Sequence, residues 1–214
     1  MYKQIMKYDV LGTTLNFHGR SYGEWAGDWW NWVCSEDPDA YSLDDPIVFL
    51  RANIDYSGEG ETRHQTGTNY YNKIEIRPGT AIFFPIIESG FHYGHAHPYE
   101  DRPVVIESEM RRLARKDMDS WISLVVTIND EPLVDNIQDF RVESPLFKLV
   151  VPQNSKLRDR MEVSPDVGTW DAVTDGYWIL IKSLPVGAYK IHFGGTDQTL
   201  SYSGTYDITV LENS

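Results

Sequence analysis

Apolar and polar residues alternate in short runs along most of the second half of the chain. Trp121-Ile-Ser-Leu-Val-Val-Thr-Ile-Asn129, Phe140–Ser144, Leu146–Val151, Tyr177–Leu184, Ala188–Phe193 and Thr205–Leu211 each carry the period of two that sends successive side chains to opposite faces of a strand. Pro185-Val-Gly187 between two of these runs reads as a tight turn, and residues 159–175 read as a polar loop. The first half adds three strand candidates: Pro46–Asn53, Tyr70–Arg77 and Thr80–Ile87, the last two joined by the turn signal Arg77-Pro-Gly-Thr80.

Two stretches depart from this period. Ser21-Tyr-Gly-Glu24 has the spacing of a capping box, and Trp25, Trp29 and Trp32 then recur at four and three residues, predicting a helix over about 21–34 that docks an indole stripe onto a sheet. A second helix is expected over about 103–119, with Asp101 as cap, Pro103 in the first turn, and Ile106, Met110 and Leu113 on one face. Roughly eight to ten strands, two helices and no βα rhythm argue for a mainly β fold: a single antiparallel β-sandwich domain, jelly-roll-like, spanning residues 1–214.

Composition narrows the function. The net charge of −13, with no offsetting basic stripe, disfavours nucleic acid. No apolar run is long enough for a bilayer and no signal peptide is legible, so a cytoplasmic protein with no membrane partner is expected. The one cysteine, Cys34, excludes an internal disulfide and reads as a buried, inert thiol. Eight acids against the single base Arg51 crowd residues 36–61, which read as a solvated loop face because they lack the spacing and central glycine of a calcium loop. Residues 56–68 read as a long surface loop.

One run concentrates chemistry. Glu88-Ser-Gly-Phe-His92-Tyr-Gly-His95-Ala-His97-Pro-Tyr-Glu100 holds half of the six histidines and two carboxylates. Neutral imidazoles and carboxylates on a short backbone are what a divalent ion such as Zn, Fe or Mn requires. His95 and His97 share one side of an extended segment, and His92 joins them if the backbone turns at Gly94. The expected metal ligands are therefore His92, His95 and His97, with Glu88 or Glu100 as ligand or base acting on a small polar substrate. The His95-Ala-His97-Pro-Tyr-Glu100 spacing is shorter than in the cupin pattern, so this likeness is chemical. His192, between Ile191 and Phe193, reads as a structural histidine.

The alternative is a non-catalytic module for a small-molecule or carbohydrate ligand, because aromatic residues make up 13% of the chain. That reading expects Trp170, Trp178 and the Tyr70–Tyr71 pair to form an exposed, coplanar platform. A third reading is a subunit of a particle or filament.

The stretches Ser21-Tyr-Gly-Glu-Trp25 with Trp29-Trp-Asn-Trp32, Pro46-Ile-Val-Phe-Leu50, Pro78-Gly-Thr-Ala-Ile-Phe-Phe-Pro85, and Asp175-Gly-Tyr-Trp178 through His192-Phe-Gly-Gly195 resemble a widespread group of uncharacterised prokaryotic proteins with a Trp-rich N-terminal helix. The resemblance implies a shared fold and transfers no catalytic residue. Members of that group are often exported and carry paired cysteines near the first strand, a feature this chain lacks.

Overall fold

The computed structural model describes residues 8–52, 56–57, 64–65, 69–97, 100–155, 166–197 and 201–212. Helix α1, Tyr22–Val33, opens on the expected capping box: the Ser21 amide donates to Glu24 at 2.8 Å and the Glu24 amide donates to the Ser21 hydroxyl at 3.4 Å. Strands follow as β1 (Ile47–Phe49), β2 (Tyr56–Ser57), β3 (His64–Gln65), β4 (Asn69–Ile76) and β5 (Ala81–His92). Helix α2 spans Glu107–Asp119, and after it come β6 (Ser123–Ile128), β7 (Glu131–Pro132), a 3-10 turn, β8 (Arg141–Glu143), β9 (Phe147–Val151), β10 (Gly168–Ile181), β11 (Gly187–Thr196) and β12 (Ser201–Val210).

The chain is mainly β, with two principal sheets and two α-helices. The first sheet runs β1-β5-β10, and the far edge of β10 is shared between β8 and β9. The second is β12-β11-β6-β7, and among the described residues β2 pairs with β3 in a small sheet of its own. Strand β4 lies beside β12, where the Leu211 amide donates to the Ile76 carbonyl at 2.9 Å and the Tyr71 hydroxyl meets Asp207.

One face of the first sheet shares a large apolar cluster with the second: Phe84, Ile86, Ile179 and Ile181 meet Val126, Ile128, Ile191 and Phe193. Its other face carries α1 through Phe83, Trp178 and Leu180. Helix α2 closes one end through Met110, Leu113 and Ala114 against Phe91 and Val173. Each aromatic ring removed from water in these clusters contributes on the order of 2–3 kcal/mol.

Several expectations need correction. The body is not wholly antiparallel, because β1 pairs with β5 in parallel, Ile47 opposite Ala81; the long excursion between them returns the chain to the same end of the sheet. Trp29 is the buried indole of α1, 2% exposed, with Tyr22, Ala26 and Val33 on the same face, while Trp25 and Trp32 flank it half-buried. Helix α2 starts at Glu107 because residues 102–104 are drawn into backbone pairing with 94–97: the Val104 amide donates to His95 and the Gly94 amide to Val104, each at 2.8 Å. Polar residues 168–175 lie inside β10, covered by β5, β8 and β9. Pro185-Val-Gly187 carries the chain from one sheet to the other and makes no hairpin. Within the supposed loop 56–68 two short strands pair, and the rest of that segment lies outside the described residues, as do 159–165 of the expected polar loop.

Candidate functional site

The expected cluster separates into three environments. Strand β5 runs on to His92, so the histidine run begins on the sheet. Gly94, at φ +84, then reverses the chain, a conformation open to glycine because it has no Cβ. The reversal brings the rings of His92 and His95 to 5.0 Å between centroids, with Phe91 4.9 Å from His95 and Trp170 5.8 Å from His92. His92 Nδ1 sits 3.0 Å from the Tyr93 carbonyl, which only accepts, so Nδ1 bears the proton and Nε2 carries the lone pair. Burial lowers the His92 pKa against the opposing effects of that hydrogen bond and the nearby Asp166 carboxylate. Burial, reinforced by His92, pushes His95 down to about 4. His95 Nδ1 is fully buried and has no hydrogen-bond partner among the described residues.

His97 goes elsewhere. It is 7% exposed, and its Nε2 lies 3.2 Å from Glu109 Oε1 and 3.9 Å from Glu100 Oε1. Arg102 ties both acids together, its Nε donating to Glu100 at 2.6 Å and its Nη2 to Glu109 at 2.6 Å. Glu100 is thus an exposed partner of Arg102. Among the described residues, no three His, Cys, Asp or Glu side chains are arranged to hold a metal ion.

Glu88 occupies the third environment. A bulge in the β5–β10 ladder pairs Tyr177 with Ile87 and Trp178 with Pro85, leaving Ile86 unopposed, and Glu88 then pairs with Gly176 on the α1 side. Its carboxyl has no hydrogen-bond or ion-pair partner among the described residues, and burial pushes its pKa up to about 8. Cys34, wholly buried at the end of α1, is near enough to feel that charge; burial first and Glu88 second push the thiol up to about 12, as suits an inert cysteine.

The acidic segment holds a site that the sequence reading missed. A cavity of about 260 Å³ is lined by Trp32, Tyr41, Phe49, Ile74 and Tyr206 together with Asp39, Asp45 and Asn72. Its polar walls are fixed in place. The Glu75 amide donates to the Tyr41 hydroxyl at 2.9 Å, the Ser42 amide to Asp45 at 2.8 Å, and Asn72 to the Tyr70 hydroxyl at 3.3 Å. Behind them Arg51, 4% exposed, donates to both Asp39 oxygens and stacks on Tyr70 at 4.4 Å. The signal was present as a lone base among eight acids, a pattern that calls for a buried pair as readily as for a solvated face.

No family model, curated protein or solved structure matches the chain. Site chemistry therefore rests on the residues themselves. His192 is satisfied by Thr205, Nδ1 to Oγ1 2.9 Å, as expected of a structural histidine. The aromatic platform expected for a carbohydrate does not form as drawn: Trp178 is wholly buried, and Tyr70 packs against Tyr206 while Tyr71 is half exposed. Among the described residues no helix is long and apolar enough to cross a membrane.

Proposed function

We propose that this protein is a binding module for a small polar ligand of carbohydrate type, seated in the cavity between the acidic segment and β1. The carrying observation is the combination of aromatic walls from Trp32, Phe49 and Tyr41 with the fixed acceptors Asp39 and Asp45. A sugar ring has the matching character, with apolar C–H faces for the rings and hydroxyls for the carboxylates. At roughly 30 Å³ per water the cavity holds about nine waters, the scale of one ring. Two sheets sharing one apolar cluster support the wider reading of the body as a jelly-roll-like sandwich, of the kind the resembled prokaryotic group implies.

The test is calorimetric titration with a panel of neutral hexoses and their amino derivatives. Saturable binding that Trp32→Ala removes supports the proposal. Heats indistinguishable from dilution across the panel, up to tens of millimolar ligand, overturn it.

A second reading is favoured by the paired imidazoles. His92 Nε2 and the unpartnered His95 Nδ1 offer two ligands for a divalent ion, with water completing its shell, and a small polar substrate would bind there. Elemental analysis of untagged protein after reconstitution with Zn, Fe or Mn decides it. One equivalent that His95→Ala abolishes is the expected result, and well under one equivalent of any of the three removes the reading.

A further inference from the structure

Arg51 shows what the acidic segment does around a cation. Its guanidinium donates to Asp39 from Nε at 3.2 Å and from Nη2 at 3.0 Å, and lies 4.4 Å from the centroid of the Tyr70 ring. The Tyr70 hydroxyl donates to the same Asp39 oxygen at 3.1 Å. A carboxylate and an aromatic face thus share one buried positive charge, the two partners that best hold a cation withdrawn from water. The cavity in front of Asp39 offers the same two partners again. Asp45 and the rings of Trp32, Tyr41 and Phe49 line it, and among the described residues that do so there is no lysine, arginine or histidine. Trp32 and Phe49 meet at 49° with centroids 5.5 Å apart, so their wall is bent. Asp45 is fixed by its own turn: the Ser42 amide donates to Oδ2 at 2.8 Å and the Asp45 amide to the Ser42 carbonyl at 3.1 Å. Its Oδ1 has no hydrogen-bond partner among the described residues, and Arg51 and Arg77 pair instead with Asp39 and Asp44. Eight acids face one base over residues 36–61, and that base is already paired, so the surrounding field draws cations and repels anions.

We infer that the ligand of this cavity is a protonated amino sugar, whose ammonium sits against Asp45 and the aromatic wall as the Arg51 guanidinium sits against Asp39 and Tyr70. The inference rests on the cavity being a sugar site and names the class of sugar it selects. An ammonium gives Asp45 Oδ1 a charged donor and the rings a cation, whereas a hydroxyl in the same place supplies only a dipole. The C–H face of the sugar is left for Trp32 in either case, so the charge adds to the contacts of a neutral hexose without displacing them. Acetylation of the nitrogen removes the charge and with it the advantage. A uronic acid meets repulsion from Asp45 and from the rest of the segment.

The experiment is calorimetric titration of the full chain with glucosamine, galactosamine and mannosamine, each against its parent hexose and its N-acetyl derivative. It is run at about pH 6.5, where the free amines are protonated, and at matched ionic strength. The amino sugars are expected to bind at least about tenfold more tightly than either neutral counterpart. Asp45→Asn retains an oxygen for the Ser42 amide, and should bring the amino sugars to within about twofold of the hexoses while leaving hexose binding unchanged. Equal affinity of the parent protein for amino sugars and hexoses overturns the inference and leaves the sugar site standing. A preference for the amino sugars that survives Asp45→Asn overturns it as well. Absence of binding by every sugar overturns both the inference and the reading beneath it. The comparison among sugars on the parent protein needs no variant, so it stands whether or not Asp45→Asn folds.

Discussion

Arg51 and Asp39 meet across the floor of the acidic segment, Nη2 to Oδ2 at 3.0 Å, with the arginine side chain 5% exposed and the aspartate 37%. The pair is asymmetric: the cation has left water and the anion has not. Removing the anion therefore strands a buried charge, whereas replacing the cation only frees a surface carboxylate. Both backbone groups of Arg51 are also held by the Tyr206 hydroxyl, which accepts from its amide at 3.0 Å and donates to its carbonyl at 3.1 Å. Asp39→Ala should cost about 2–3 kcal/mol and Arg51→Met less. Urea denaturation of both variants checks the order, and equal small losses would reduce the pair to a surface contact.

The raised pKa of Glu88 makes stability fall as pH rises. The native state keeps its proton up to about 8 while the unfolded chain releases it near the ordinary carboxyl value of 4.5, so between those values the native state binds more protons. Within that window each pH unit costs up to about 1.4 kcal/mol. Glu88→Gln should flatten this alkaline slope and melt higher than the parent at pH 8, a comparison read from thermal melts across pH 5–9. A parent curve without that slope would place Glu88 in ordinary solvent.

His95 acts in the opposite direction. Its native pKa of about 4 lies below the unfolded value of 6.5, so stability is lost as pH falls through that interval, where the unfolded chain gains the extra proton. In His95→Phe the acid limb should recede toward lower pH while the alkaline limb stays unchanged. Melting curves at pH 4–7 separate the two groups, and an unaltered acid limb would deny His95 its part in it.

Gly176→Ala should be more disruptive than an average surface substitution. Its Cβ would fall 2.8 Å from the Ile87 carbonyl, a backbone atom that cannot swing aside. Overpacking of this kind typically costs about 1–3 kcal/mol. Gly12→Ala, where nothing lies within 4 Å, is the matched control, and denaturation midpoints of the two should differ accordingly.

How much of this was legible depended on whether the deciding contact was local. The capping box of α1 joins residues three apart, so Ser21 and Glu24 announced the helix start directly. The strand character of Ala81–Ile87 lay equally on the surface of the sequence, because an apolar run needs no partner to be recognised. The fate of His97 depended on Glu109, twelve residues away on α2, and on Arg102 pulling the intervening chain into a bridge with Ala96. No local period encodes that choice. Residues 168–175 looked like loop because Asp171, Thr174 and Asp175 are polar, yet Asp175 is 1% exposed and bonded to Arg141, and Thr174 to the Ser89 carbonyl. Their strand state is set by partners 34 and 85 residues distant.

The extra residue in β5 has a consequence for how this strand tolerates change in length. Because Ile86 and Ile87 together oppose Tyr177, the outer half of the strand is in phase with a shorter, regular one. Deleting Ile86 would smooth the ladder and leave Glu88, Gly90 and His92 on the side they now occupy. Losing one residue between Ala81 and Pro85 with the bulge kept would invert that side, turning the carboxyl inward and presenting Ser89 and Phe91 to α1. The Ile86–Ile87 pair thus gives the strand one neutral edit, whereas a residue lost ahead of it exchanges the two faces of the outer half.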